Sequence, residues 1–569
     1  MLKQLLPGLL LLMLAGCGGE AEEEHQLTAA KGDRYYGGTL RLTEAEYLRT
    51  LFPPAINDPV SARIATQVYD GLFHIDPADS RLKPLLVESY EANADSTVFV
   101  FTLKKGVVFH DDDSFKDGKG RELQASDVQF CFANLCRQLP DNQSFYLVRG
   151  LFKGAEKFYR SKLPQAAFGG VTVLDDYRLQ INLERTYPQL PELLALPQFL
   201  IYPREAFERY GTARPRAVGT GPFRLALVER EIAVTLERNP RYHRRDVHGN
   251  QLPYLETVNV QFIPDKRSEL AEFRNGHSQI MYRMPPDQFV EILGLETDAS
   301  QTGLVGAVLA HQPEMITHCL VFNLRRPGFQ NSALRRAFAH SINRDVLQGT
   351  VLNGEGQGPA DHGISPPMTE YKSDTLVRSL AFSPDSARQL LAKSQIPDEK
   401  IKLLLYPDGS RNILVGISLI EQVKRAVGIE WSLEPRPLSA FTEQLLKGDF
   451  DVALLSFTTY RDNPAAVLAP FYSKNAVSNG GNTYPNFMAY QNPAFDRLYE
   501  AAQTAEGRAA LRKAHQFLVN DAAVVPLWYN EGYYLLRNNV AGFAINPLAL
   551  RDYAQVYLKP KPAPASAKR

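Results

Sequence analysis

Two short runs constrain the fold of this chain more than anything else in it. Ile401–Tyr406 (IKLLLY) and Asp451–Phe457 (DVALLSF) are apolar with little alternation. A strand with one wet face alternates apolar and polar residues, so these runs read as strands buried on both faces, of the parallel kind. Other segments do alternate. Phe99, Phe101 and Leu103 interleave with Val100, Thr102 and Lys104, and Gly37–Leu42, Phe223–Leu227 and Thr257–Ile263 also read as strands. Val171–Leu174 and Arg178–Leu183 form a hairpin about Asp175-Asp176. Helices are expected over Ser61–Phe73, turning at Gly71, and over Ala125–Leu139, capped by Ser126-Asp127. Further helices are expected over Arg267–Asn275, Asn331–Ile342, Ser383–Lys393 and Arg508–Asp521, the last followed by a strand at Val524–Trp528. Helices alternate with strands, and antiparallel hairpins interrupt them. The pattern predicts α/β lobes with chain crossings between them. A chain of 569 residues holds about three or four such units at ~150 residues each.

Composition removes several classes. With 44% hydrophobic and 22% charged residues, the chain is neither disordered nor a membrane bundle. Lys plus Arg equals Asp plus Glu at 63 each, so there is no general pull on polyanions, and no long basic patch suggests nucleic acid. Gly219 and Gly221 in VGTGPF read as a structural turn, because a strand rather than a helix follows, and a phosphate cradle needs the helix. Gly354–Pro359 (GEGQGP) reads as a loop. His110-Asp111-Asp112-Asp113, with Asp117 close by, could hold calcium, but a solvated loop is the expectation. His311 and His318 read as surface or core histidines, and Cys131, Cys136 and Cys319 as small core residues. No zinc-ligand spacing and no GxSxG, HExxH or SxxK constellation stands out, so neither a metal, a cofactor nor catalysis is expected.

The chain opens MLKQLLPGLLLLMLAGCGGEAEEE. The apolar run from Leu5 to Leu14 is too short to span a bilayer, which takes ~20 residues, and reads as a secretion signal. LAGC resembles the bacterial lipobox. That resemblance implies a signal peptide over 1–16, a lipid on Cys17, and a flexible tether over 17–37 that holds the protein at a membrane of the bacterial cell envelope. The alternative is an ordinary signal peptide with an incidental Cys.

Several strings, in order, resemble bacterial extracellular solute-binding proteins of family 5, the dipeptide- and oligopeptide-binding group. They include YDGLF (Tyr69–Phe73), LKPLLVESYE (Leu82–Glu91), FTLKKGVVFHDD (Phe101–Asp112) and VGTGPF (Val218–Phe223). RNPRYH (Arg238–His243), LRRAFAHSINRDVL (Leu334–Leu347), GDFDVALLSF (Gly448–Phe457) and NDAAVVPLWY (Asn520–Tyr529) follow. The resemblance implies a periplasmic-binding-protein-like α/β fold: two lobes about a hinge and ligand cleft, with an extra subdomain on the first lobe. Lobe I would comprise 38–58, 198–305 and 528–557, the subdomain 59–197, lobe II 306–527, and a disordered tail 558–569. It also implies a monomer that captures short peptides for an inner-membrane ABC permease and its ATPase subunits. A non-peptide solute (a metal chelate or a saccharide) and a non-transport surface lipoprotein are the alternatives.

Site residues follow from the same resemblance. Peptide-binding members carry an amine-binding carboxylate four residues before a Pro, in the segment that here reads SFTTYRDNPAAV. That position is Tyr460, with Asp462 and Asn463 close to Pro464. Either Asp462 substitutes, or Tyr460 stacks on an uncharged or blocked ligand. Phe457 stands where the family has a pocket aromatic, and otherwise ends a core strand. Ile56, Asn57, Tyr282 at the end of GHSQIMY, and Asn323 before Arg325 are further wall positions. Arg325 and Arg326 are either a carboxylate clamp or solvated loop charges.

Overall fold

A computed structural model describes residues 27–161, 168–212, 216–285, 287–293, 304–367, 377–397, 400–408, 410–459, 464–476, 485–503 and 507–560. Cys17 and its leader, Tyr460, Asp462, Asn463 and residues 561–569 lie outside the described residues.

One large sheet organises the molecule. Its strands are β1 (Thr39–Glu44), β2 (Phe223–Glu229), β3 (Ala233–Arg238), β4 (Thr257–Phe262), β5 (Ile280–Tyr282), β6 (Ala307–Phe322), β7 (Gly358–Pro359), β8 (Ile401–Leu405), β9 (Trp431–Pro435), β10 (Val452–Thr458) and β11 (Val524–Arg537). Across the sheet they run β2-β3-β4-β1-β5-β11-β6-β10-β8-β9, with β7 added on β11. The sheet has two halves. In the first, β1 lies parallel to both β4 and β5; in the second, β8 lies parallel to both β9 and β10. Joining them are β6 and β11, of 16 and 14 residues, paired antiparallel. Strands rise about 3.4 Å per residue, so each is long enough to serve both halves. Residues Ile316–Phe322 of β6 pair with β10 in the second half. Leu535 and Leu536 of β11 pair with Met281 and Ile280 of β5 in the first.

The apolar runs do what their pattern predicts. Leu403, Leu405, Val452 and Leu454 enter one core of the second half, while Leu404 and Ala453 enter another on the opposite face of the sheet. Both faces are therefore covered. The alternating segment Val98–Leu103 buries Phe99, Phe101 and Leu103 in a four-stranded antiparallel sheet with Val87–Ala92, Arg178–Asn182 and Val171–Val173. These residues share one continuous core with the first half of the large sheet.

Several local expectations are corrected. The first helix runs Pro59–Val68, because Asp58 caps it by accepting from the Ser61 N–H (2.8 Å) and Pro59 suits its first turn; Phe73 begins a strand instead. The helix from Ala125 stops at Leu135, and its cap is Gln124, whose N–H donates to Asp127 Oδ2 (2.9 Å). The strand after Ala523 runs to Arg537, far beyond Trp528. Gly358-Pro359, expected in a loop, pairs with Tyr529 and Trp528. Residues 28–36, expected in a flexible tether, form a hairpin whose Lys31 N–H donates to Asn250 Oδ1 (3.1 Å). Leu558, expected to open the tail, pairs with Val540. Arg326 stays a partly solvated loop charge, its side chain 39% exposed, and it pairs with Asp449 and Asp451 at 3.1 Å each.

The VGTGPF turn has a packing reason. A Cβ on Gly219 would lie 2.2 Å from the Val68 carbonyl oxygen, at the end of the first helix. His110 bonds to both glycines, with Nε2–H donating to the Gly221 carbonyl (2.9 Å) and Nδ1 accepting from the Gly219 N–H (3.4 Å). Burial pushes this imidazole down to about 4, so it stays neutral. The His-Asp-Asp-Asp string thus fastens a turn. Cys131, Cys136 and Cys319 are buried free thiols. Among the described residues, no helix is long and apolar enough to cross a membrane, and no group of three or more His, Cys, Asp or Glu is placed to hold a metal ion.

Gly219→Ala should cost about 1–3 kcal/mol by overpacking against Val68. A lowered urea midpoint checks this, and an unchanged midpoint would show that the turn relaxes freely.

Candidate functional site

The two crossing strands carry polar residues where apolar ones would be the default. Glu314 on β6 is fully buried. Its carboxylate accepts from the Tyr282 hydroxyl (2.9 and 2.8 Å to its two oxygens), from Tyr534 (3.3 Å) and from the Asn530 amide. Tyr282 comes from β5 and the other two from β11, so three strands meet at this one group. The β6–β11 register shifts between Pro313 and Thr317, which frees Met315 to donate to the Pro547 carbonyl (2.7 Å) and to accept from the Thr459 N–H (2.8 Å). Such an irregularity re-aims the side chains beside it. Gly532 leaves the room: a Cβ there would lie 2.3 Å from Glu314 Oε1.

Asn530, fully buried, faces the other way with its oxygen. Oδ1 accepts from His318 Nε2 (3.1 Å) and Arg411 Nη2 (3.2 Å). His318 also accepts from Ser456 at Nδ1 (2.9 Å) and stacks on Trp528 with centroids 4.1 Å apart. Burial, with Arg411 and Arg283 adding to it, pushes this imidazole well below its ordinary value, so it is neutral. Arg411 opens the Arg411–Val427 helix, and its guanidinium lies over Trp528, 5.5 Å from the ring centroid. It meets Glu355 at 3.2 Å and Asp408 at 3.8 Å, while its Nε and Nη1 have no hydrogen-bond acceptor.

One ion pair joins the halves beside this cluster. Arg283, just after β5, meets Asp408, just after β8, at 2.7 Å, and both side chains are mostly buried. Both residues sit in the left-handed region, at φ 61° and 47°. Non-glycine residues hold such angles only where surrounding structure compels them, and these cluster at ligand clamps. Burial works to raise the Asp408 carboxyl, but Arg283 and Arg411 outweigh it and hold it below the ordinary range. Burial pushes Glu355 up, with Arg411 opposing. Glu46 is pushed to about 7 by burial, with Asp408 and Asp58 adding repulsion. Further contacts tie the halves: Arg49 donates to Thr442 (3.3 Å), Arg149 to the Lys474 carbonyl (3.0 Å) and Arg185 to Gln503 (2.6 Å). The two halves therefore meet in this structure. A groove of about 670 Å³, lined by Ile232, Asn259, Phe262 and Glu272 among others, opens on the first half at β3 and β4, away from this junction.

Of the expected wall residues, the structure brings Tyr282 into the junction as a direct partner of Glu314. Phe457 pairs across from Thr317 on β6 and packs on Phe471, with ring centroids 5.7 Å apart. Ile56 is buried, and its carbonyl accepts from Gln198 (2.7 Å). Asn57 donates to Gln143. Asn323 donates to the Gly448 (2.9 Å) and Phe450 (2.8 Å) carbonyls, and its own oxygen accepts from the Arg325 N–H (3.1 Å). Its amide ties the loop before β10 to the end of β6. Glu314, Asn530, Arg411, Asp408 and Arg283 were not singled out from the sequence. The legible signal was a polar residue interrupting an apolar strand, as in VVPLWYNEGYYLL and QPEMITHCLVF.

Comparison with known proteins now has a geometry to refer to. Residues 81–479 match the family described as bacterial extracellular solute-binding proteins, family 5 Middle. A probable di/tripeptide-binding protein 5 of Pseudomonas aeruginosa is 24% identical over 509 residues, covering 87% of this chain and 90% of that protein. Heme-binding protein A of Haemophilus influenzae is 23% identical over 563 residues, 94% of this chain and 95% of that protein. The periplasmic binding protein DppA of Helicobacter pylori, solved with the peptide STSA, superposes with a TM-score of 0.77 at 21% identity, covering 92% of this chain and 98% of that chain. A periplasmic oligopeptide-binding protein of Borrelia burgdorferi gives 0.79 at 21%, covering 92% and 100%. These likenesses show the fold: α/β, in two lobes. With the family match spanning well over half of its residues, the chain belongs to the bacterial extracellular solute-binding proteins of family 5.

Proposed function

We propose that this protein is the substrate-binding lipoprotein of an ABC importer. It captures short peptides between two lobes and delivers them unchanged to an inner-membrane permease with its ATPase subunits. One observation carries the choice of ligand. Arg283 and Arg411 stand buried at the junction of the halves, with Nε of both and Nη1 of Arg411 lacking any acceptor. Arg411 is paired with Glu355 (3.2 Å), and these three guanidinium nitrogens keep donor capacity that a ligand's acceptor could take up. A guanidinium fork fits a carboxylate, and a peptide has one at its C-terminus. Relatives named for di- and tripeptide binding, and neighbours solved with peptides, support the same class.

The work is differential binding. A ligand that touches both lobes only when they are closed favours closure, and moving the balance from 1:99 to 99:1 takes about 5.5 kcal/mol of preference. In this division, 38–58, 198–305 and 528–557 form lobe I, 59–197 the subdomain and 306–527 lobe II. Tyr282 and Phe457 wall the site, and Ile56, Asn57, Asn323, Tyr460, Asp462 and Asn463 are ligand-contact candidates on the family resemblance alone. The protein acts as a monomer, held at a membrane of the cell envelope through lipid on Cys17. A second reading is a non-peptide solute such as a metal chelate. It is favoured by Tyr460 standing in place of the family's acid, and by the relative named as a heme-binding protein.

Native mass spectrometry of the purified protein should show a co-purified adduct of short-peptide mass; a chelate mass would favour the second reading instead. In calorimetry, Arg411→Met should weaken a free dipeptide by at least about tenfold, which is 1.4 kcal/mol, and should erase discrimination against its C-terminal amide. Equal binding of acid and amide by the unaltered protein would remove the carboxylate from this account. Labelled palmitate should be incorporated by cells making the protein and lost with Cys17→Ser; label retained in that variant would exclude this anchor.

A further inference from the structure

We infer that Glu314 receives the positive charge of the bound ligand, so that the site is built for a short zwitterion. This rests on the peptide reading above and deepens it. The starting point is a buried carboxylate with the wrong company. Its donors are two phenols and a primary amide, all neutral. Among the described residues, no Lys, Arg or His nitrogen forms an ion pair with it. Arg551 reaches it only through Tyr534, whose hydroxyl accepts from its Nη2 (3.3 Å), and Arg283 lies over the Tyr282 ring, its guanidinium carbon 5.0 Å from the centroid. A carboxylate taken out of water without a counter-charge is costly, and the folded chain keeps one where its two halves cross.

The carboxylate keeps acceptor capacity for a cation. A carboxylate has about four acceptor sites, and Tyr282, Asn530 and Tyr534 supply three donors, leaving room for an ammonium N–H. Gly532 opposite adds no side-chain bulk to that face.

Asn530 explains why the two charges of the site survive side by side. Its N–H holds Glu314 and its oxygen holds Arg411 (3.2 Å), so one amide stands between a carboxylate with no direct ion pair and a guanidinium that meets Glu355 (3.2 Å) yet keeps two nitrogens without a hydrogen-bond acceptor. Pairing directly would neutralise both. Held apart by one amide and two hydrogen bonds, they match a small molecule with an ammonium at one end and a carboxylate at the other. The span suits a short zwitterion such as a dipeptide better than a long peptide.

The test compares a free dipeptide, its N-acetyl derivative and its C-terminal amide by calorimetry on the full chain, unaltered and as Glu314→Gln. The unaltered protein should prefer the free amine to the acetylated form by tenfold or more. In Glu314→Gln that preference should fall to within about twofold, while discrimination between acid and amide persists. Glu314→Asp, which keeps the charge, should retain part of the preference. A purely structural role for Glu314 would lower the midpoint and leave the amine preference intact, and that result overturns the inference. Equal binding of free and acetylated dipeptide by the unaltered protein overturns it without any variant. If the unaltered protein binds none of the three, the peptide reading itself has failed and this inference falls with it.

Discussion

The antiparallel pairing of β6 with β11 is the constraint on which the rest of the molecule depends. Two strands of 16 and 14 residues are shared by both halves of one sheet, so each half inherits its orientation from the same pair. A single shared strand would leave the halves free to twist. A pair allows bending mainly about the line across them, the motion that closes a cleft. The register shift between Pro313 and Thr317 sits where the chain passes from one half to the other, and the polar cluster gathers there.

That placement has an electrostatic consequence. At the junction both halves contribute charge, and little water remains to screen it, so each unpaired group counts for more than on the surface. The Arg283–Asp408 pair shows one resolution: opposite charges from opposite halves meet at 2.7 Å, at the expense of left-handed backbone at both ends. Glu314 and Arg411 show another, in which Asn530 keeps opposite charges apart. The first arrangement stabilises contact between the halves by itself, and in the proposed reading the second is completed by a guest. A binding protein needs both: halves that can meet, and a reason to meet more firmly when loaded.

Much of the fold was legible. The runs at Ile401–Tyr406 and Asp451–Phe457 were read as strands buried on both faces, and Leu404 does face a different core from Leu403 and Leu405. Phe99, Phe101 and Leu103 were read as one buried face, and all three are buried. Boundaries were less legible, because caps depend on one side chain. Asp58 and Gln124 set the starts of helices that Ser61 and Ser126 were expected to mark. Residues 28–36 were read as tether because they follow Cys17 and the acidic Glu20–Glu24 run, yet they pair as a hairpin once Asn250 supplies a partner.

The sequence by itself determined the class: periodicity and apolar runs dictate which residues must leave water, and that suffices for α/β lobes and for membership of a family. A string resemblance also drew notice to Tyr282, which the fold places at the junction against Glu314. Only the tertiary structure decided the charges of the junction. Glu314 and Asn530 are 216 positions apart, and Arg411 is 119 from Asn530. No local pattern connects them, because a hydrogen bond depends on distance in space: the long strand pair brings Glu314 and Asn530 together, and the helix opening at Arg411 brings the third.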